Sequence, residues 1–322
     1  MEQEKLLSIH NLIVQYSSDN GIVRAVNGIN LEIEPGETLG LVGETGAGKT
    51  TTALAIMKLI QDPPGKIVDG EIFFNGVNLL KENELRMRIH RGKDISMIFQ
   101  DPMTSLNPVI NIGDQIAEVI RLHEKLSKTA AFIKAAEMLE MVGIPSERMN
   151  DYPHQFSGGM KQRVVIAISL ACKPHLIIAD EPTTALDVTI QAQVLELMAE
   201  LQHKLNTALL LITHNLGVVA EICNNVAIVY AGYVLEKGSL EDVYENTKHP
   251  YTKGLFGSLP NLSNKVKRLN PINGLMPDPT DLPKGCPFST RCPQMYAECE
   301  RSMPKNTEIT PGHFVRCFLY EH

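Results

Sequence analysis

Gly43-Glu-Thr-Gly-Ala-Gly-Lys-Thr50 limits what this chain can fold into more than any other stretch. Thr38-Leu-Gly-Leu-Val42 before it reads as a short buried strand, and from Thr51 to Ile60 apolar residues recur at helical spacing. Strand, Gly-x4-Gly-Lys-Thr, helix is the phosphate-loop pattern in its required context. The glycines let successive backbone N–H groups converge on phosphate oxygens, and the helix N-terminus adds the positive end of its dipole. Lys49 is expected to reach the β- and γ-phosphates and the Thr50 hydroxyl to ligate Mg²⁺. Glu44, Thr45, Gly46, Ala47, Gly48 and Thr51 complete the cradle. A plain Gly-rich turn is the alternative for the loop alone, and the flanking strand and helix weigh against it.

Other apolar runs end in polar groups. Leu176-Ile-Ile-Ala-Asp180-Glu181 places two carboxylates at a strand tip, an expensive position unless a cation or a reaction uses them. Asp180 fits a Mg²⁺ contact through water, and Glu181 fits a general base for the attacking water. An exposed Asp-Glu pair opening a turn at Pro182 is the bland alternative. Ala208-Leu-Leu-Leu-Ile-Thr-His214 and Ile95-Ser-Met-Ile-Phe99-Gln100 repeat the strand-with-polar-tip pattern, although a lone His there is more often structural. Between these elements lies Phe156-Ser-Gly-Gly-Met-Lys-Gln-Arg163, in isolation an uninformative turn.

Taken in order, the phosphate loop, the Ser-Gly-Gly loop and the Asp-Glu strand resemble the ATPase subunits of ABC transporters over residues 1 to about 245. The resemblance implies an α/β P-loop NTPase, with a RecA-like core, an antiparallel β subdomain and a helical subdomain at about 105–165. Ser157, Gly158 and Gly159 would then sit at a helix N-terminus and close over the nucleotide of a partner chain. Gln100 corresponds to the residue that senses Mg²⁺ and the γ-phosphate, and His214 to the one that contacts the γ-phosphate. Ala185-Leu186-Asp187 matches the loop that communicates across the dimer. Tyr16, in the strand Leu12–Tyr16, matches the aromatic that stacks on adenine. Met160 departs from the usual Gln, as is common in peptide importers.

Gln100-Asp-Pro-Met-Thr-Ser-Leu-Asn-Pro108, Ala231–Gly238 and His249-Pro-Tyr-Thr252 narrow the resemblance to dipeptide and oligopeptide permeases, now over the whole chain. It implies a sister ATPase as partner (a second copy is the alternative), two transmembrane permease subunits, and a peptide-binding protein outside the membrane. Nickel chelates and oligosaccharides are the runner-up cargoes. A DNA-repair or translation ATPase is the rival class. Only about a hundred residues separate Thr50 from Ser157, too few for a repair module, and a single ATPase set argues against translation factors. The net charge of −7 also disfavours a nucleic-acid partner. Intact Glu181 and His214 speak against a regulator without turnover.

No apolar run reaches the ~18 residues of a membrane span, and Met1–Lys5 lacks signal-peptide character. The expected place is therefore the cytoplasmic face of the membrane, held by partners. Residues 246–322 carry ten of the 19 prolines, four of the six cysteines, and ten Lys/Arg against six Asp/Glu. They read as a small Cys/Pro-rich C-terminal domain. Cys286, Cys292, Cys299 and Cys317 follow C-x5-C-x6-C-x17-C, which in a cytosolic chain points to metal. Neither a zinc knuckle nor a ferredoxin run is present, so spacing does not choose the metal. The resemblance implies a 4Fe-4S cluster, with zinc or free cysteines as alternatives. Cys172 and Cys223 read as core residues.

Overall fold

The computed structural model describes residues 5–184, 186–258 and 272–321. Strands β1 (Leu7–Ser18), β2 (Gly21–Ile33) and β3 (Thr38–Val42) lead into helix α1 (Lys49–Ile56). Next come β4 (Gly65–Phe74), β5 (Val77–Asn78), α2 (Glu84–His90) and β6 (Ile95–Ile98). Helices α3 (Pro102–Ser105), α4 (Ile112–Glu124), α5 (Lys128–Met141) and α6 (Gly158–Leu170) precede β7 (Leu176–Asp180), α7 (Val188–Leu205) and β8 (Ala208–Thr213). The chain continues through α8 (Leu216–Ile222), β9 (Asn225–Tyr230), β10 (Tyr233–Ser239), α9 (Leu240–Tyr244) and α10 (Pro250–Gly257). It ends with α11 (Ala297–Arg301), β11 (Thr307–Thr310) and β12 (His313–Val315).

Two compact units emerge, one of them containing Ile33–Thr38 and Lys81–Ile212. Its strands β6, β7 and β8 run parallel, with Ile95 opposite Leu176 and Leu176 opposite Ala208. Every residue of β7 and β8 is buried. That is why both read as unbroken apolar runs rather than alternating ones. In α4, Ile112, Ile116 and Ile120 recur every four residues and are fully buried, as are Ala131, Ala135 and Leu139 of α5. Each such Ile contributes about 1.5–3 kcal/mol of burial. Asn111 and Ser127 cap the two helices through their side chains.

The other unit contains Leu6–Glu32, Leu39–Leu80 and the chain from Thr213 onward. It holds a four-stranded sheet in the order β2-β1-β4-β5, with β1–β4 and β4–β5 antiparallel. It also holds the parallel pair β3–β9, extended by antiparallel β10, β12 and β11. β12, from the Cys/Pro-rich tail, pairs with β10 through Glu236–Val315 and Lys237–Phe314. The helix after the phosphate loop stops at Ile56, short of the expected Ile60. Lys58 turns left-handed (φ 50°), and the bonds Lys58 N–H to Ala55 and Leu59 N–H to Leu54 close the end in a Schellman motif. No helix among the described residues is long and apolar enough to cross a membrane.

Candidate nucleotide site and cysteine pocket

In the second unit the phosphate loop joins β3 to α1, and its glycines are required by close approach. A Cβ on Gly43 would lie 2.1 Å from the Val229 carbonyl oxygen. Gly48, the N-cap of α1, sits at φ 98° with the Ala25 oxygen 2.3 Å from where a Cβ would be. Lys49 is buried, and its Nζ donates to the carbonyl oxygens of Gly43 (2.8 Å) and Glu44 (3.0 Å). Thr50 is exposed and Thr51 half-buried. Tyr16, near the end of β1, packs its ring against Gly65, leaving no room for a Cβ there. His214 is exposed just after β8, ahead of Asn215, whose side chain caps α8.

Glu44 is held from the tail, which the sequence did not reveal. Its N–H donates to the Tyr251 hydroxyl (3.2 Å), and Nη1 of Arg291 donates to both carboxylate oxygens (3.0 and 3.1 Å). Burial alone would lower the pKa of Arg291, but its bonds to Tyr230 and Glu44 raise it. Tyr251 belongs to the His249-Pro-Tyr-Thr252 motif, in which His249 is the N-cap of α10 and Pro250 its first residue.

The first unit brings Gln100, Asp180 and Glu181 to the strand ends. Asp180 is 3% exposed at the tip of β7. Glu181 follows in the left-handed region (φ 47°), its N–H bonded to the Ile212 carbonyl at 2.8 Å. Gln100 Nε2 and the Thr184 hydroxyl each donate to Glu181 Oε2 at 3.1 Å. Ser157 caps α6, as expected, and accepts the Met160 N–H. A Cβ on Gly159 would lie 2.5 Å from Ile190 Cγ2, and one on Gly158 would touch Leu186. The Ser-Gly-Gly loop therefore packs on the start of α7, which Asp187 caps by accepting the Ile190 N–H (3.0 Å). Ala185 lies outside the described residues. Arg148 stacks on Phe156 at 4.3 Å and donates to Met160 Sδ, bracing the loop from a neighbouring turn.

Cys286, Cys292, Cys299 and Cys317 are free thiols lining one small cavity together with His249. Burial pushes Cys286 up to about 12, and Cys317, Cys299 and Cys292 add to the rise. Burial also raises Cys292 and Cys317. Against this, the backbone at Phe288, Gln294 and Leu319 acts to lower Cys286, Cys292 and Cys317 respectively. Nδ1 of His249 accepts the Tyr251 N–H, so the ring proton sits on Nε2, a buried atom that makes no hydrogen bond. Burial pushes this imidazole down to about 3, with the Arg316 carbonyl acting in the opposite sense. Among the described residues, no three His, Cys, Asp or Glu side chains are placed to hold a metal ion. Cys223 is buried and pushed up to about 12, and Cys172 is half-buried and raised to about 11.

A phosphate loop on a parallel strand pair and a carboxylate-tipped strand in a second parallel set define a P-loop ATPase with mixed sheet and helices. Residues 26–184 match the ABC transporter family, and residues 235–299 match the C-terminal region of oligopeptide/dipeptide transporters. The chain belongs to the ATP-binding subunits of ABC transporters and is an ATPase. It is 49% identical to the dipeptide transport ATP-binding protein DppD of Bacillus subtilis (strain 168), covering 99% of this chain and 96% of that relative. It is 47% identical to the oligopeptide transport ATP-binding protein OppD of Escherichia coli (strain K12), over 98% of this chain and 94% of that one. Among solved structures it resembles the dimeric ATP-binding cassette MJ0796 bound to ADP and Pi. The TM-score is 0.65 at 25% identity, covering 73% of this chain and 98% of that one.

Proposed function

We propose that the chain is the ATP-hydrolysing subunit of an importer for dipeptides and oligopeptides, bound to the cytoplasmic face of the cell membrane. The observation that carries this reading is its near-full-length identity, tail included, with relatives named for dipeptide and oligopeptide transport. Residues 1–245 are the nucleotide-binding part, with a helical subdomain at about 105–165, and 246–322 form the Cys/Pro-rich module. Its partners are a sister ATPase, two membrane subunits and the extracytoplasmic peptide-binding protein they serve.

Tyr16 stacks on adenine, and residues 43–51 cradle the phosphates, with Lys49 on the β- and γ-oxygens. Thr50, Asp180 and Gln100 would hold Mg²⁺, which when bound offsets phosphate charge. Glu181, oriented by Gln100 and Thr184, takes the proton of the attacking water. His214 contacts the γ-phosphate. Ser157, Gly158, Gly159 and Asp187 face the nucleotide of the partner ATPase, so each dimer carries two composite sites. ATP favours the closed dimer, and hydrolysis releases it.

By resemblance the cysteine pocket is the seat of a 4Fe-4S cluster, with zinc as the alternative. The observation behind this reading is that four cysteine sulfurs line one small cavity. When bound, that group supplies covalent cross-linking of the tail and negative charge. Deleting this subunit should abolish cellular uptake of a labelled dipeptide while leaving uptake of a nickel chelate and an oligosaccharide intact. Loss of either of the latter with dipeptide uptake unchanged would replace the cargo assignment.

A further inference from the structure

The tail takes hold of the phosphate loop at one residue from two sides. Glu44 gives its N–H to Tyr251 and its carboxylate to Arg291, while its carbonyl accepts Lys49 Nζ. These bonds link the phosphate-binding lysine to the tail through a single residue. The side chain of Arg291 is 5% exposed, against 31% for Glu44. Its other bonds run from Nε to the Asn273 carbonyl (3.1 Å), from Nη1 also to the Tyr230 hydroxyl (3.2 Å), and from Nη2 to the Ile272 carbonyl (3.5 Å). A guanidinium so fully engaged stays where its backbone puts it.

The cysteines set that backbone. Arg291 ends the 3-10 turn Ser289–Arg291, strung between Cys286 and Cys292. Ser289 N–H bonds the Cys286 carbonyl (3.0 Å), Arg291 N–H the Phe288 carbonyl (3.0 Å), and Cys292 N–H the Ser289 carbonyl (3.3 Å). Cys286 N–H in turn bonds the Cys299 carbonyl (2.8 Å). Tyr251 is tied to the same cavity through His249, which lines it.

We propose that the tail braces the phosphate loop: Arg291 is a positioning residue that neutralises and anchors Glu44, and the filling of the four-cysteine pocket fixes Arg291, so the state of the pocket sets the affinity for ATP. The second half rests on reading the pocket as a metal–thiolate site. Without Arg291, a carboxylate remains beside a loop that must bind a polyanion, and the Glu44 peptide loses one of its anchors. The pocket then regulates nucleotide binding at a distance from the chemistry, through contacts within one compact unit.

The test uses the full-length subunit purified without oxygen, its iron and sulfide content measured, and its Kd for ATP determined by calorimetry alongside kcat at saturating ATP. Arg291→Ala should raise Kd about tenfold with kcat nearly unchanged, and Arg291→Lys should fall between it and the parent. Adding Glu44→Gln to Arg291→Ala should bring Kd back towards the parent value, a rescue that a misfolded variant cannot give. An unchanged Kd in Arg291→Ala, or no rescue, would overturn the brace. Cys292→Ser and chelator-stripped parent protein should lose iron and show a similar rise in Kd, with no further rise when Arg291→Ala is added. If they lose iron and keep the parent Kd, the coupling of pocket to loop is overturned while the brace stands. If the purified protein holds no iron, the pocket reading and the coupling fall together, and the Arg291 variants still decide the brace.

Discussion

Glu181 sits in left-handed backbone, a conformation that costs a non-glycine residue roughly 1–3 kcal/mol and tends to mark functional sites. Two donors on one carboxylate oxygen hold the side chain in place there. Cys223 shows the opposite use of burial, a thiol kept neutral in the core against Gly40. Burial pushes its folded pKa up to about 12, above the ordinary thiol value of 9.0, so the stability it contributes is full below pH 9 and is lost as pH rises towards 12. Cys223→Ala should flatten part of the alkaline fall in melting temperature, and native Cys223 should resist iodoacetamide at pH 8. Rapid native alkylation would show that the thiol is accessible. The phosphate-loop, Asp-Glu and Ser-Gly-Gly residues were legible because their neighbours in sequence carry the context. Arg291 was not, because its partner Glu44 is 247 positions away and no local pattern marks a lone arginine.

Strands β3, β7 and β8 could be read from the sequence because buried parallel strands need an unbroken apolar run. The end of α1 could not, since Leu59 and Ile60 keep the helical spacing while Lys58 adopts a conformation more typical of glycine. β12 offers only three residues, and its pairing with β10 has no local signature. Helix α7 begins at an Asp whose side chain satisfies the Ile190 N–H, and Gly159 presses on that same Ile190. Asp187→Ala should cost about 1 kcal/mol of stability, whereas Asp187→Asn should cost only a few tenths. Denaturant melts of the two variants check this, and equal losses in both would assign the effect to charge rather than to the cap.

For the whole molecule, the phosphate loop and the cysteine pocket belong to one compact unit, while the carboxylate-tipped strand and the Ser-Gly-Gly loop belong to the other. The composition shift near residue 246 was plain in the sequence, but the contact of the tail with Glu44 was not. It depends on tertiary packing that spacing does not encode. The most direct measurement is phosphate release and ATP retention by Glu181→Gln in the assembled importer, with dipeptide uptake followed in proteoliposomes. The variant should bind ATP as the parent does, release phosphate at least ~100-fold more slowly and take up no dipeptide. Parent-like phosphate release by Glu181→Gln would contradict the assignment of the general base. Dipeptide uptake continuing without hydrolysis would contradict the proposal that this subunit drives transport.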